Sequence, residues 1–177
     1  SVRLSYSDHY AYGYEPVDVP FDALHQLTQE EGMHWANHHF VNNHRCENNV
    51  KMGFNLVVID IDGTTKINIA QELLKEYNYL IYTTKSHTEK EHRFRIILPI
   101  NYYLELDSDD YREFMESIYS WLPFKVDDGN SWTRSKKWES YAKGSFNYNL
   151  EGVCLDALQF IPKTSKNEDF QKERKQL

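Results

Sequence analysis

The chain has 177 residues, 40% of them hydrophobic and 15% aromatic, enough for one ordinary domain to bury a core without disulfide or metal staples. Seven Gly and five Pro exclude a fibrous or low-complexity protein, and two cysteines, Cys46 and Cys154, are too few and too far apart for a disulfide framework, which suits a reducing cytoplasmic setting. A net charge of −7 repels nucleic acid as a whole, so any such contact must come from a local basic patch or from bound cations.

The longest apolar run, FNLVVIDI at 54–61, is of strand length, so neither a leader nor a membrane span is expected. The chain begins without Met, and a piece of a longer protein is expected. Residues 1–53 read as an irregular N-terminal module rich in His, Asn and Tyr, with no strong strand. Its one helix candidate covers 20–32, where Phe21, Leu24 and Leu27 share a face and Gly32 stops it. The expected core, 54–162, opens with the strand 54–61 and a helix over 67–77 that places Ile69, Ala70, Leu73, Leu74 and Tyr77 on one side. A second strand, YLIYTT at 79–84, completes a strand-helix-strand unit, which predicts parallel neighbours in the sheet.

The polar loop KSHTEKEH at 85–92 leads into a third strand, RFRIILPI at 93–100, closed by Pro99 and paired with the second as a hairpin. A helix over 108–121 is signalled by the acidic start DSDD and by Tyr111, Phe114, Met115, Ile118 and Leu122 at helical spacing. Beyond it, PFKVDDGN at 123–130 predicts a short strand and turn, 131–142 is helical or irregular, and CLDALQFIP at 154–162 predicts a last strand. Residues 163–177 are charged and poor in apolar residues, as in a tail or linker. The fold class expected is α+β (mixed α/β), one domain over 1–162.

The chemistry concentrates at NLVVIDIDGTTK. Strand alternation projects Asp60 and Asp62 from one face and Ile59 and Ile61 from the other. Adjacent carboxylates repel unless something positive lies between them, and the oxygen-only donor set suits Mg²⁺ or Mn²⁺. An exposed turn is the alternative use of a lone D-x-D-G. A second acidic cluster, Asp127 and Asp128 in DDGN, offers the third carboxylate that a metal pair needs. Lys85, Arg93, Arg95, Arg134, Lys136 and Lys137 supply positive charge, with Arg93 and Arg95 on one strand face as guanidinium groups suited to phosphate oxygens. His34, His38, His39, His44 and Cys46 form a further cluster, for which local packing outweighs zinc because the paired cysteine spacing of structural zinc sites is missing.

Two family resemblances follow from these residues. VVIDIDGT resembles the first motif of the haloacid dehalogenase-like phosphatases, which implies Asp60 as nucleophile, Asp62 as general acid, Lys125 as the family's lysine and an aspartyl-phosphate. That reading leaves the first sixty residues and HRFRIILPI without a role. HRCENNVKMGFNLVVIDIDGT, YLIYTTKSHTEKEHRFRIILPI and KVDDGNSWTRSKKWES together resemble the small phage- and plasmid-type domains of the archaeo-eukaryotic primase (primase-polymerase) superfamily, over about residues 40–162. This resemblance implies an RRM-like core with an N-terminal module, and two-metal nucleotidyl transfer from nucleoside triphosphates on a single-stranded DNA template.

The resemblance also implies roles. Asp60, Asp62 and Asp127, with Asp128 as rival, would hold Mg²⁺ or Mn²⁺, and Lys85, Ser86, His87, Arg93, Arg95 and Arg134 would meet the nucleotide. Arg45, Asn48, Lys136 and Lys137 would line the nucleic-acid path, and of Trp132 and Trp138, aromatics of the same stretch, at least one is expected to pack in the core instead. His87, His92 and Arg95 remain alternatives for the second motif's nucleotide contact. A replicative helicase is the implied partner, and a bacterial host's cytoplasm the setting. A non-catalytic single-stranded nucleic-acid binding module is the third reading.

Overall fold

The computed structural model describes residues 1–126 and 132–162. In chain order the elements are β1 (Val2–Ser7), β2 (Glu15–Val19), α1 (His25–Thr28), β3 (His34–Ala36), β4 (His39–Phe40), β5 (Val50–Lys51), β6 (Phe54–Asp62), α2 (Ile67–Leu73), β7 (Tyr79–Thr83), β8 (Arg93–Leu104), α3 (Ser108–Trp121), β9 (Trp138–Glu139) and β10 (Phe146–Asn149). This is a mixed α/β chain of antiparallel sheets with few helices. Among the described residues no helix is long and apolar enough to cross a membrane.

The central sheet runs β10-β7-β8-β6, and every neighbouring pair is antiparallel. The parallel neighbours expected of β6-α2-β7 are therefore not formed. β6 and β7 do run the same way, but β8 lies between them, a split β-α-β arrangement. The cause is the short loop after β7: Thr84 N donates to Arg93 O at 3.0 Å, so β8 folds back as the expected hairpin and occupies the slot beside β7. β8 also runs on past Pro99. Pro99 has no N–H to give, and it lies where the β7 pairing has ended at Ile97 and the β6 register shifts between Phe54 and Leu56.

A second sheet, β2-β1-β3-β9, contradicts the expectation of no strong strand in the first 53 residues. Its signal is weak for a physical reason. Two of the four buried positions of β1 are serines, and Ser5 is satisfied by donating from Oγ to His38 O at 2.6 Å. The sheet's fourth strand comes from residues 138–139, within a segment that sequence alone leaves helical or irregular.

The central sheet has a different partner on each face. Val57, Ile59, Ile61, Ile81, Phe94, Ile96 and Leu98 pack against Phe114, Met115 and Ile118 of α3, as the stripe over 108–121 predicts. Leu56, Val58, Leu80, Tyr82 and Ile97 pack against Val2, Leu4, Trp35 and Trp138 of the second sheet. α2 is shorter than expected. Ala70 and Leu74 are buried, whereas Ile69 and Leu73 are exposed, because the helix meets the sheet along a narrower line than its apolar stripe. Residues 154–162 form no strand. Leu155 makes a single bridge to Ile100, and a 3-10 turn at Ala157–Gln159 plugs the helical side of the core. Residues 123–126 are also not a strand, while Asp127, Asp128 and the 163–177 segment lie outside the described residues.

Candidate active site

Alternation along three strands builds the site. Leu56 and Val58 of β6, Leu80 and Tyr82 of β7, and Ile97 of β8 face the second sheet, so Asp60, Asp62, Arg95 and Arg93 project from that same face. The strand register sets Asp60 opposite Arg95 and Asp62 opposite Arg93. Cover thins along β6: Val58 is buried, Asp60 has 31% of its side chain exposed and Asp62 60%. The acids thus stand where the second sheet stops shielding the first.

Arg95 Nε lies 3.3 Å from Asp60 Oδ1 without the alignment of a hydrogen bond, and that buried N–H has no other partner. The guanidinium is held instead through Nη1, which donates to Tyr82 Oη at 2.9 Å and to Glu139 O at 2.8 Å, with the Trp138 ring 5.3 Å away. Burial pushes the Asp60 carboxyl up from its ordinary value, and the attraction of Arg95 and Lys136 does not offset that. Burial in turn lowers Lys136, against the pull of Asp60.

Arg93 is fully engaged. It donates to Asp62 at 2.5 Å, to Ser86 O at 2.9 Å and to Glu91 at 2.6 Å. His87 and His92, with ring centres 4.9 Å apart, brace the loop that carries Lys85 and Ser86. His87 Nδ1 accepts from Arg93 N and His92 Nδ1 from Ile67 N, at the start of α2. Burial and the nearby His92 lower His87 from its ordinary value.

A cavity of about 590 Å³ opens at Arg95, the ion-pair partner of Asp60, and is lined also by Glu31, His34, Lys85, Ser86, Glu139 and Lys143 among others. Three residues that the sequence assigns to nucleotide contact, Lys85, Ser86 and Arg95, meet there. Lys136 and Lys137 flank it: Lys136 Nζ sits 5.3 Å from the Trp138 ring, and Lys137 Nζ is 3.0 Å from His34 Nδ1 and 3.2 Å from Glu139.

Other expected residues lie outside the cavity lining. Arg134 donates to Glu47 at 2.8 Å and to Leu106 O at 3.2 Å, with 11% of its side chain exposed, which makes it a tether between loops. Arg45 donates to Tyr10 O at 2.7 Å and Ser135 O at 2.8 Å, tying the N-terminal segment to the Lys136 segment. Asn48 is exposed in a 3-10 turn. Trp138 is buried in the inter-sheet core, and Trp132 packs edge-on against Tyr119. Lys125 is exposed, and its carbonyl accepts from Thr64 and Thr65. Of the histidine cluster, His38 is fully buried beside Phe54 and Tyr111, and His39 Nε2 lies 2.8 Å from Leu4 O.

Sequence reasoning did not single out Tyr82, Glu139 or Lys143. Tyr82 was within reach, since the hairpin register places it opposite Arg95. Glu139 and Lys143 depend on β9 joining the other sheet, which no local pattern announces.

Two carboxylates on one strand face are the oxygen donors that a hard divalent cation takes. Among the described residues no third His, Cys or carboxylate completes a metal cluster, and Asp127 and Asp128 are not among them.

No family model matches the chain, and no curated protein does. Among solved structures, the AEP domain of the cyanophage S-2L primase-polymerase matches with a TM-score of 0.49 and 9% identity, over 91% of this chain and 89% of that one. Similarity at that level assigns the chain to no family.

Proposed function

We propose that the protein is a metal-dependent nucleotidyltransferase of the primase or primase-polymerase type, acting with nucleoside triphosphates on a single-stranded DNA template. One observation carries the reading: Asp60 and Asp62 face Arg95 and Arg93 in register on one sheet face, and Arg95 also lines a cavity with Lys85 and Lys143. Motif order along the chain supports it.

Asp60, Asp62 and one of Asp127 and Asp128 would hold Mg²⁺ or Mn²⁺. When bound, such a cation pair lowers the pKa of an attacking 3′-hydroxyl and stabilises charge on the α-phosphate as pyrophosphate leaves. Arg95 presents a buried N–H that lacks an aligned acceptor, a costly state that a phosphate oxygen relieves. Lys85 and Lys143 at the cavity wall offset the triphosphate charge, and Ser86 offers a hydroxyl. Arg93 competes with a cation for Asp62 and moves to phosphate when that carboxylate is taken. His87 positions the loop through the Arg93 N–H. The phosphatase alternative draws no support from the fold, since β6 has an antiparallel neighbour rather than the parallel ones that place such sites at strand ends. A replicative helicase is the partner this chemistry would serve, in the cytoplasm of a bacterial host.

The test is synthesis on primed and unprimed single-stranded templates with labelled nucleotides and Mn²⁺. Extension or dinucleotide formation that falls at least about 100-fold in Asp60→Ala is expected, the scale of losing a ligand from a metal site. Phosphate release from a generic monoester with no synthesis would instead support the phosphatase. Unchanged DNA binding in Asp60→Ala with no synthesis from any nucleotide would support the binding module.

A further inference from the structure

The loop after β1, SDHYAYGYE, carries three aromatic rings into solvent in a row that packing does not require. Tyr10 is 60% exposed and Tyr12 59%, among the largest exposures of any large apolar side chain described. The rings are nonetheless ordered against one another. His9 stacks on Tyr10 at 4.5 Å between centres, His9 and Tyr12 are 5.3 Å apart, and Tyr12 stacks on His44 at 4.6 Å.

The backbone beneath the row is fastened at several points. Ser7 Oγ donates to Tyr12 O, His9 Nδ1 accepts from Ala11 N at 3.0 Å and Tyr12 N at 3.1 Å, and Arg45 N donates to Ala11 O at 2.7 Å. Arg45 Nε then binds Tyr10 O while its Nη1 reaches Ser135 O, next to Lys136 and Lys137. His44 is presented by a turn in which Asn42 and Asn43 both take positive φ, 56° and 54°, a conformation that asparagine tolerates better than most residues. The ordering cost of holding aromatic rings in water has thus been met within the fold.

Position gives the row a direction. Arg45 ties the row to Ser135, two residues before Lys137, and Lys137 Nζ lies 3.0 Å from His34 Nδ1, which lines the cavity with Arg95. By these contacts the rings, Arg45, Lys137 and the cavity lined by Arg95 follow one another. Asp8 is the only carboxylate in the loop from Ser7 to Gly13. Exposed rings beside cationic side chains match the two faces of single-stranded nucleic acid, its bases and its phosphates.

We propose that His9, Tyr10, Tyr12 and His44 form a base-stacking platform that holds the single-stranded template upstream of the cavity. It rests on the reading that a template is bound, and goes beyond it by naming where its bases sit.

Binding of a fluorescent oligo(dT) to the whole protein, without metal or nucleotide, tests the platform. Tyr10→Ala with Tyr12→Ala weakens binding about tenfold or more, with the slope of log affinity against log salt unchanged, because stacking and not phosphate contact is removed. Tyr10→Phe with Tyr12→Phe retains the π-faces and binds as the parent does. Both positions are exposed, so an unchanged circular dichroism melt confirms that folding is intact. Equal affinity in the alanine and parent proteins overturns the platform and leaves the rings for a protein contact. The two proposals fail separately. Tyrosine-dependent binding without Mn²⁺-dependent synthesis sinks the enzyme reading alone, and synthesis with tyrosine-independent binding sinks the platform alone.

Discussion

Asp60 combines an unfavourable charge environment with a proposed cation site, and the two make opposite demands on stability and activity. Its raised pKa means that the folded state takes up this proton more readily than the unfolded one. Asp60 therefore supports folding below the ordinary carboxylate range, and the support is lost as pH rises through the folded value, so at neutral pH the ionised group is a cost. Asp60→Asn is expected to leave the thermal midpoint at pH 7 equal to or above the parent's, by calorimetry, while abolishing the rise that Mn²⁺ with a triphosphate gives the parent. A drop of several degrees, or an undiminished Mn²⁺ shift, contradicts this account. His38 shows the other sign. Burial beside Phe54 and Tyr111 lowers it from 6.5 to about 3, and its Nε2 has no hydrogen-bond partner. Its folded value is depressed, so its contribution is complete above pH 6.5 and is lost as pH falls toward 3. His34, His39 and His87 are lowered too, so the slope is shared. His38→Phe should make the urea-derived stability between pH 5.5 and 4.5 less steep by about 1.4 kcal/mol per pH unit, one proton's worth.

At the scale of elements, β6 and β8 must stay in one register, because a one-residue slip of β6 would turn Asp60 to the helical face, away from Arg95. The start of β6 is fixed by Gly53, whose φ of +133° suits no side chain and whose Cβ position is filled by the Tyr103 hydroxyl. Gly53→Ala is expected to lower stability by about 1–3 kcal/mol in urea unfolding, mostly from backbone strain. A value near zero contradicts a strained start to the strand. What could be read from sequence followed strong periodicity: the apolar run of β6, the β7-β8 hairpin and the α3 stripe all appear, and alternation alone puts both acids on one face. What could not be read has equally physical causes. β1 buries serines, β2 is mostly solvent-facing, and β3 and β9 are three and two residues long, too short for a period to show. The order of strands was also hidden, since a period of two reports faces and not neighbours. Lys85, Ser86 and Arg95 line one cavity, whereas Arg134 pairs with Glu47, a contact that no local pattern announces.

At the scale of the whole molecule, the two sheets share one inter-sheet core, and the site lies at its open margin. Tyr82 and Trp138 come from different sheets, and both hold Arg95 in place. The N-terminal residues therefore shape the cavity through His34, and by pairing β3 with β9 they hold Glu139, as well as covering Leu56 and Val58. They also bring the exposed rings to its approach. Lys85, Arg95 and Lys143 stand at this margin in a chain of net charge −7, and a polyanion would have to enter beside them. The most direct measurement is a crystal of the protein soaked with Mn²⁺ and a non-hydrolysable nucleoside triphosphate, read by anomalous scattering. The account predicts manganese bound by the carboxylates of Asp60 and Asp62, with phosphate oxygens on Arg95 and Lys85. Manganese absent from those aspartates, or a nucleotide seated away from Arg95, would contradict it.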